Sequence, residues 1–230
     1  MGRILCIDTA TDICSVALGV DGVVADKMES IEDRAHAKLL TVLIQQILDK
    51  NGLTVSNLDA VAVSEGPGSY TGLRIGVSAA KGMCYASKLP LIAVSTLQTI
   101  AAGYISNNEV PADAVLLPML DAKRMEVYYA QYNVQLDEQI AATPLVVDEQ
   151  SFKEYEKESH VIFLGSGAQK CSDILQLNNA MYLSEFPNKA EDMVGLAEQK
   201  FQQNSFVDVA YFEPAYLKPF LATQPKKKFF

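Results

Sequence analysis

The stretch Gly66-Pro67-Gly68-Ser69-Tyr70-Thr71-Gly72-Leu73-Arg74-Ile75-Gly76 lies between an apolar run at 61–63 and a segment of small residues at 77–82. This order predicts a strand, a Gly-rich turn and a helix. Glycine lets a ligand or another chain come close, and the backbone N–H groups at a helix start attract anions. The stretch therefore indicates either phosphate binding or close packing against a partner.

The glycine spacing argues against a known phosphate motif. It matches neither Gly-x-x-x-x-Gly-Lys-Ser/Thr nor Gly-x-Gly-x-x-Gly. Ser69 also lies outside a Gly-x-Ser-x-Gly pattern, so the motif of a nucleophilic serine is not supported. Packing against a partner is the favoured interpretation.

The residues before and after this stretch predict alternating strands and helices. Asp21-Gly22 is a hairpin signal between two apolar runs. The predicted strands of the first half are 4–8, 15–20, 23–29, 58–64 and 91–94, and the predicted helices are 35–50, the segment from the Gly-rich turn to about Ser87, and 96–105. The turn-rich segment 107–111 follows, and we place a domain boundary there, between units 1–106 and 107–230.

The second half opens in the same way as the first, with a strand that ends in Asp and a meander. Its predicted strands are 114–121, 126–134, 140–147 and 161–164, with a short helical piece at 151–157 and a helix at 191–203. This similarity indicates a duplicated fold. The packing of the segment from Pro214 onward is left open, and packing back on the first unit is one option.

The bulk composition is that of a globular chain. The 230 residues are 49% hydrophobic and 20% charged, with a formal net charge of −9. A chain this acidic is not expected to bind nucleic acid by itself, because neutralising the phosphates requires an excess of Lys and Arg. The basic cluster Lys226-Lys228 is expected to be a solvated tail. We expect no signal peptide and no membrane span. The four scattered cysteines fit buried positions in a reducing cytoplasm.

Several short motifs occur in one order along the chain: Ile7-Asp8-Thr9-Ala10-Thr11, Arg34-Ala35-His36, the Gly66-to-Gly76 stretch, Asp121-Ala122-Lys123-Arg124 with Glu126-Val127-Tyr128, and Pro214-Ala215-Tyr216-Leu217-Lys218. Together they resemble the TsaB (YeaZ) family over nearly the whole length. The resemblance implies an α/β actin-like ATPase fold of two tandem ribonuclease-H-like units with mixed sheets. It also implies a partner protein that dimerises with a TsaD-like catalytic subunit, works with a TsaE-like ATPase, forms homodimers alone and meets tRNA only through the complex.

The chain is expected to lack catalysis of its own. The catalytic branch of this fold carries a His-x-x-x-His pair after the strand at 91–94, and this chain has Val94-Ser95-Thr96-Leu97-Gln98-Thr99-Ile100 there. A metalloprotease is therefore the weakest alternative, because no ligand set is visible and no metal is expected. The stronger alternative is a self-sufficient ATPase or kinase. Its nucleotide would be ATP or ADP with Mg, bound weakly or at the complex interface, and the candidate contacts are Asp8, Thr9, Thr11, Gly165, Ser166 and Gly167.

Two helices are the candidate partner surface. The helix after the Gly-rich turn carries several small residues, which cost helix stability unless another element packs closely against them. The preceding helix has an apolar stripe wider than one core face requires, and an apolar face of that size would mark an interface if it were exposed. The predicted interface residues are His36, Leu39, Leu40, Leu43, Ile47, Tyr70, Leu73, Arg74, Val77 and Lys81.

Overall fold

The computed structural model of the chain describes residues 2–32, 36–175 and 177–218. Arg34 and Ala35 of the second motif, and the Lys226-Lys228 tail, lie outside the described residues. None of the helices in these three ranges is both long and apolar enough to cross a bilayer.

The first sheet contains five strands: β1 (Arg3–Asp8), β2 (Cys14–Val20), β3 (Val23–Ser30), β4 (Ala60–Gly66) and β5 (Leu91–Ser95). Their order across the sheet is β3-β2-β1-β4-β5. The first three form an antiparallel meander, and β4 and β5 add in parallel. β4 is almost entirely buried, as a strand covered on both faces requires.

Helices cover both faces of this sheet. On one face lie α1 (His36–Lys50) and α2 (Tyr70–Ser87), whose apolar residues share a core with β1, β2 and β4. The Ser69 side chain caps α2 by accepting a hydrogen bond from the Gly72 N–H at 3.2 Å. The helix ends at Lys88, which is in the left-handed conformation.

The second sheet repeats the strand order of the first. Its strands are β6 (Val115–Asp121), β7 (Glu126–Tyr132), β8 (Glu138–Val146), β9 (Val161–Leu164) and β10 (Ala180–Leu183), in the order β10-β9-β6-β7-β8. Again the first three strands form an antiparallel meander and the last two add in parallel. A short helix, α4 (Ala168–Ile174), follows β9. The matching strand orders agree with the duplicated fold that the sequence predicts.

Two further helices connect the halves of the molecule. The first, α3 (Thr96–Asn107), packs through Leu97, Ile100 and Tyr104 on apolar residues of the second sheet. The last, α5 (Val194–Gln202), returns to the first sheet, where Val194 and Ala197 share a core with its strands. The predicted helices and most predicted strands agree with the structure to within a few residues. The sequence pattern missed α4 and β10, which are short and lack clear periodicity.

Candidate functional site

The Gly-rich stretch packs against the chain's own first loop. A Cβ on Gly72 would lie 2.0 Å from the backbone oxygen of Thr9, and one on Gly76 would lie 2.3 Å from the Thr9 hydroxyl. The Thr9 hydroxyl donates to the Gly72 carbonyl at 2.8 Å, and the Ser69 N–H donates to the Ala10 carbonyl at 2.7 Å. Close packing is therefore the role of these glycines, and the element that comes close is the loop after β1.

Asp8 is buried at the end of β1, with both carboxylate oxygens engaged. One oxygen accepts from the Ala10 N–H at 3.0 Å and the other accepts from the Asn188 side-chain amide at 2.7 Å. Burial raises the pKa of this carboxyl, although these hydrogen bonds oppose that rise. In this arrangement Asp8 ties the loop after β1 to the segment that precedes α5.

A cleft of about 700 Å³ lies between the two sheets. Of the predicted nucleotide contacts, Thr11 and Ser166 line it, whereas Asp8, Thr9, Gly165 and Gly167 do not. Gly165 instead takes a φ of +91°, and a Cβ on it would lie 2.6 Å from the Met119 carbonyl oxygen. Several other lining residues lie on a segment that carries no sequence motif and were therefore not predicted: Ser184, Glu185, Phe186, Pro187 and Asn188.

Charged groups at the cleft pair with lysines. Lys170 donates to the Asp121 carboxylate at 2.8 Å and to the Glu126 carbonyl at 2.9 Å, and Lys218 pairs with the Glu126 carboxylate. Partial burial opposes ionisation of Asp121, but hydrogen bonds from Lys170 and the Lys123 N–H outweigh it and lower the pKa of the carboxyl. These carboxylates are therefore already held by internal contacts.

Metal-binding side chains are dispersed. Within the described ranges, no three His, Cys, Asp or Glu residues are grouped so that they could hold a metal ion. The Nε2 of His36 donates to the Thr11 carbonyl at 2.9 Å, which joins the start of α1 to the loop after β1. His160 pairs with Asp113 at 3.0 Å, and the four cysteines are buried and free.

Half of the predicted interface residues belong to the core. Leu40, Leu43, Ile47 and Val77 are each at most 9% exposed and pack together with the first sheet, and Leu73 is 1% exposed. Their placement on the surface is therefore corrected, because the apolar stripe of α1 covers both the sheet and α2. His36, Leu39, Tyr70, Arg74 and Lys81 remain partly or fully exposed.

A shallow groove of about 530 Å³ runs between α1 and α2. We call it the docking groove. Small side chains dominate its wall, and most of them are exposed. Its residues are Ala37, Leu40, Thr41, Tyr70, Thr71, Arg74, Ile75, Ser78 and Ala79. The small residues of α2 predicted close packing from the sequence, but Ala37, Thr41, Thr71, Ser78 and Ala79 are not among the predicted interface residues, because periodicity does not show which small residues stay exposed.

Comparison with known proteins gives consistent matches. The family model described as TsaD, tRNA N6-adenosine threonylcarbamoyltransferase, matches residues 23–222. The tRNA threonylcarbamoyladenosine biosynthesis protein TsaB of Escherichia coli is 35% identical, covering 94% of each chain. TsaB of Haemophilus influenzae is 28% identical, covering 94% of this chain and 93% of its own.

A solved structure matches equally well. YeaZ from Pseudomonas aeruginosa superposes with a TM-score of 0.81 at 28% identity, covering 94% of this chain and all of that one. This match and the repeated strand order confirm the expected α/β fold of two tandem ribonuclease-H-like units, the architecture of actin-like ATPases.

Proposed function

The chain belongs to the TsaB (YeaZ) family of tRNA threonylcarbamoyladenosine biosynthesis, and we propose that it serves there as a non-catalytic partner of a TsaD-like subunit. In this proposal the TsaD-like subunit transfers the threonylcarbamoyl group to the adenosine next to the anticodon. The chain supports that step by dimerising with the TsaD-like subunit and by helping a TsaE-like ATPase to bind. Contact with tRNA is made only through the complex.

The docking groove is the observation that carries the proposal. Small exposed side chains on two adjacent helices allow the backbones of two partner helices to approach closely, which favours a four-helix contact. Arg74 and Tyr70 at one end supply the kinds of residue that dominate binding energy at interfaces. In the absence of the partner, the same groove would pair two copies of this chain.

The test is an affinity measurement between the purified chain and the TsaD-like subunit. We expect Ala37→Arg and Ser78→Arg each to weaken binding at least about thirtyfold, because a long charged side chain in a close helix contact costs 2 kcal/mol or more. Ala141→Arg is the matched control, since Ala141 is exposed on the edge strand β8 of the other sheet. Binding that is unchanged in both groove variants would refute the proposal.

The cleft supports a weaker second candidate, a nucleotide-binding ATPase or kinase. The cleft is large enough for a nucleotide, and Thr11 and Ser166 line it. However, Asp8 is fully buried and does not line the cleft, and both of its carboxylate oxygens already accept hydrogen bonds from within the chain, so it is not exposed toward a hydrated Mg²⁺ there. We therefore propose that ATP or ADP binds weakly at most, or binds at the complex interface. Calorimetry with ATP and Mg²⁺ on the isolated chain distinguishes the two functions, because tight binding with turnover would favour the ATPase.

A further inference from the structure

The segment 207–218, which we call the clasp, is fixed to the first sheet by its backbone. The Val207 N–H donates to the Leu91 carbonyl at 2.9 Å, at the edge strand β5. Lys81 on α2 donates to the carbonyl oxygens of Ala210 and Phe212 at 3.1 and 2.9 Å. The Ala215 N–H then donates to the Glu65 carbonyl at 2.7 Å, at the end of β4.

The end of the clasp reaches the second sheet. Lys218 pairs with the Glu126 carboxylate, and its Nζ lies 5.6 Å from the centre of the Tyr128 ring. Both partners lie on β7. Because Ala215 is bonded to β4 and Lys218 to β7, the last four described residues bridge the two sheets. They also form one wall of a second cavity, of about 450 Å³.

Gly66, the first glycine of the Gly-rich stretch, makes room for the clasp. Its φ is +112°, and a Cβ on it would lie 3.1 Å from the Ala215 carbonyl oxygen. A side chain at this position would be strained and would press on the clasp backbone. The stretch thus contacts two different elements, the loop after β1 and the clasp.

Tyr70 belongs to the clasp contact and to the docking groove at once. Its ring centre lies 5.0 Å from that of Tyr216, with the planes tilted by 38°. On its own helix, Arg74 donates to the Tyr70 hydroxyl at 2.8 Å and lies 5.4 Å from the ring centre. Both Tyr70 and Arg74 line the groove. The position of a groove side chain therefore depends on a residue of the clasp.

We propose that Tyr216 is a positioning residue for partner binding: by packing on Tyr70 it fixes one end of the docking groove, so that closure of the clasp and binding of the partner favour each other. This inference rests on the proposed function of the groove. Such coupling is reciprocal. If the closed clasp raises the affinity for the partner, then the bound partner must stabilise the closed clasp by the same free energy. The partner is the same TsaD-like subunit, and the clasp does not need to touch it.

The test compares three full-length variants by calorimetry with the TsaD-like subunit. We expect Tyr216→Ala to weaken binding roughly three- to tenfold, the factor that corresponds to loss of one aromatic pair. Tyr216→Phe keeps the ring and should bind within about twofold of the parent chain. The matched control is Tyr211→Ala, because Tyr211 lies in the same segment and is 85% exposed.

A second measurement on the parent chain follows amide exchange at Ala215 with and without the partner. Slower exchange in the complex is the reciprocal effect that the coupling requires, and it is independent of whether Tyr216→Ala folds well. Unchanged exchange together with normal binding of Tyr216→Ala overturns the coupling. If Ala37→Arg still abolishes binding in that case, the docking groove is supported as the interface and only the coupling to the clasp is refuted. If Ala37→Arg binds normally, the proposed function itself fails.

Discussion

The docking groove and the cleft between the sheets differ in how their polar groups are used. Around the cleft, Asp121 pairs with Lys170, and the buried Asp8 holds the lining residues Ala10 and Asn188. The carboxylates near the cleft are therefore bonded to other parts of the chain and hold its loops in place. The groove has few such bonds and a wall of small exposed side chains. We therefore propose that the polar groups around the cleft serve stability and that the groove, with its small exposed side chains, binds the partner.

The Gly-rich stretch separates these two regions. Its glycines fit the start of α2 against the loop after β1, which is part of the cleft wall. The opposite side of the same helix faces the groove. A helix held this tightly at its start presents a rigid surface, which lowers the entropic cost of binding a partner.

Gly72→Ala should have the largest effect on stability, and it tests the tight side of α2. We expect a loss of about 3 kcal/mol or more, because the new Cβ would lie 2.0 Å from a backbone oxygen that cannot move alone. Gly82→Ala is the matched control on the same helix, since a Cβ there meets nothing within 4 Å. It should stabilise the chain by up to about 1 kcal/mol through helix propensity. Urea unfolding measures both, and equal effects would contradict the packing role.

Variants of Asp8 test whether the buried carboxylate that holds the cleft-lining residues Ala10 and Asn188 is structural. Asp8→Ala should cost about 2 to 3 kcal/mol, because the buried N–H of Ala10 and the amide of Asn188 lose their acceptors. Asp8→Asn should be nearly neutral, since the Asn188 Oδ1 has no partner among the described residues and an amide flip would present it to the new side chain. Urea unfolding of the two variants side by side measures the difference. A loss of stability as large in Asp8→Asn as in Asp8→Ala would show that the charge itself is required.

Asp192, which lies between α3 and the start of α5, should give a smaller effect on stability that depends on pH. Burial raises the pKa of its carboxyl to about 7, with the neighbouring Glu191 adding to the rise, and the carboxyl group lies against Gly103 of α3. The folded state therefore holds the proton more tightly than the unfolded state, whose pKa is near 3.8. Stability should fall as pH rises from about 4 to about 7 and then level off.

Asp192→Asn should remove this part of the pH dependence. At pH 8 we expect it to stabilise the chain by about 1 to 2 kcal/mol, a figure reduced because the side chain is partly exposed to solvent. The gain should nearly vanish toward pH 4, where the native carboxyl is also neutral. Urea midpoints at several pH values measure the trend, and a gain that is constant across this range would contradict it.

The sequence predicted the fold better than the site, for physical reasons. The hairpin at Asp21-Gly22 and the apolar period of α1 are local signals, and both gave the correct element. Whether Leu43 faces solvent or the core depends on how α1 sits on the sheet and on α2, which local periodicity does not contain. In the same way, no motif marks Asn188 as the partner of Asp8, 180 residues away in sequence. The docking groove could not be predicted either, because tertiary packing decides which small residues of α1 and α2 stay exposed.

The most direct test of the central claim is the rate of tRNA threonylcarbamoyladenosine formation in a reconstituted system that contains the TsaD-like and TsaE-like proteins. Two variants are compared with the parent chain: Ser78→Arg in the groove, and Asp8→Asn, which changes the side chain that holds the cleft-lining residues Ala10 and Asn188. We expect Ser78→Arg to lose most of the activity that the parent chain supports and Asp8→Asn to keep it. Loss of activity in Asp8→Asn with full activity in Ser78→Arg would rule out the groove as the functional surface and indicate that the cleft carries the function.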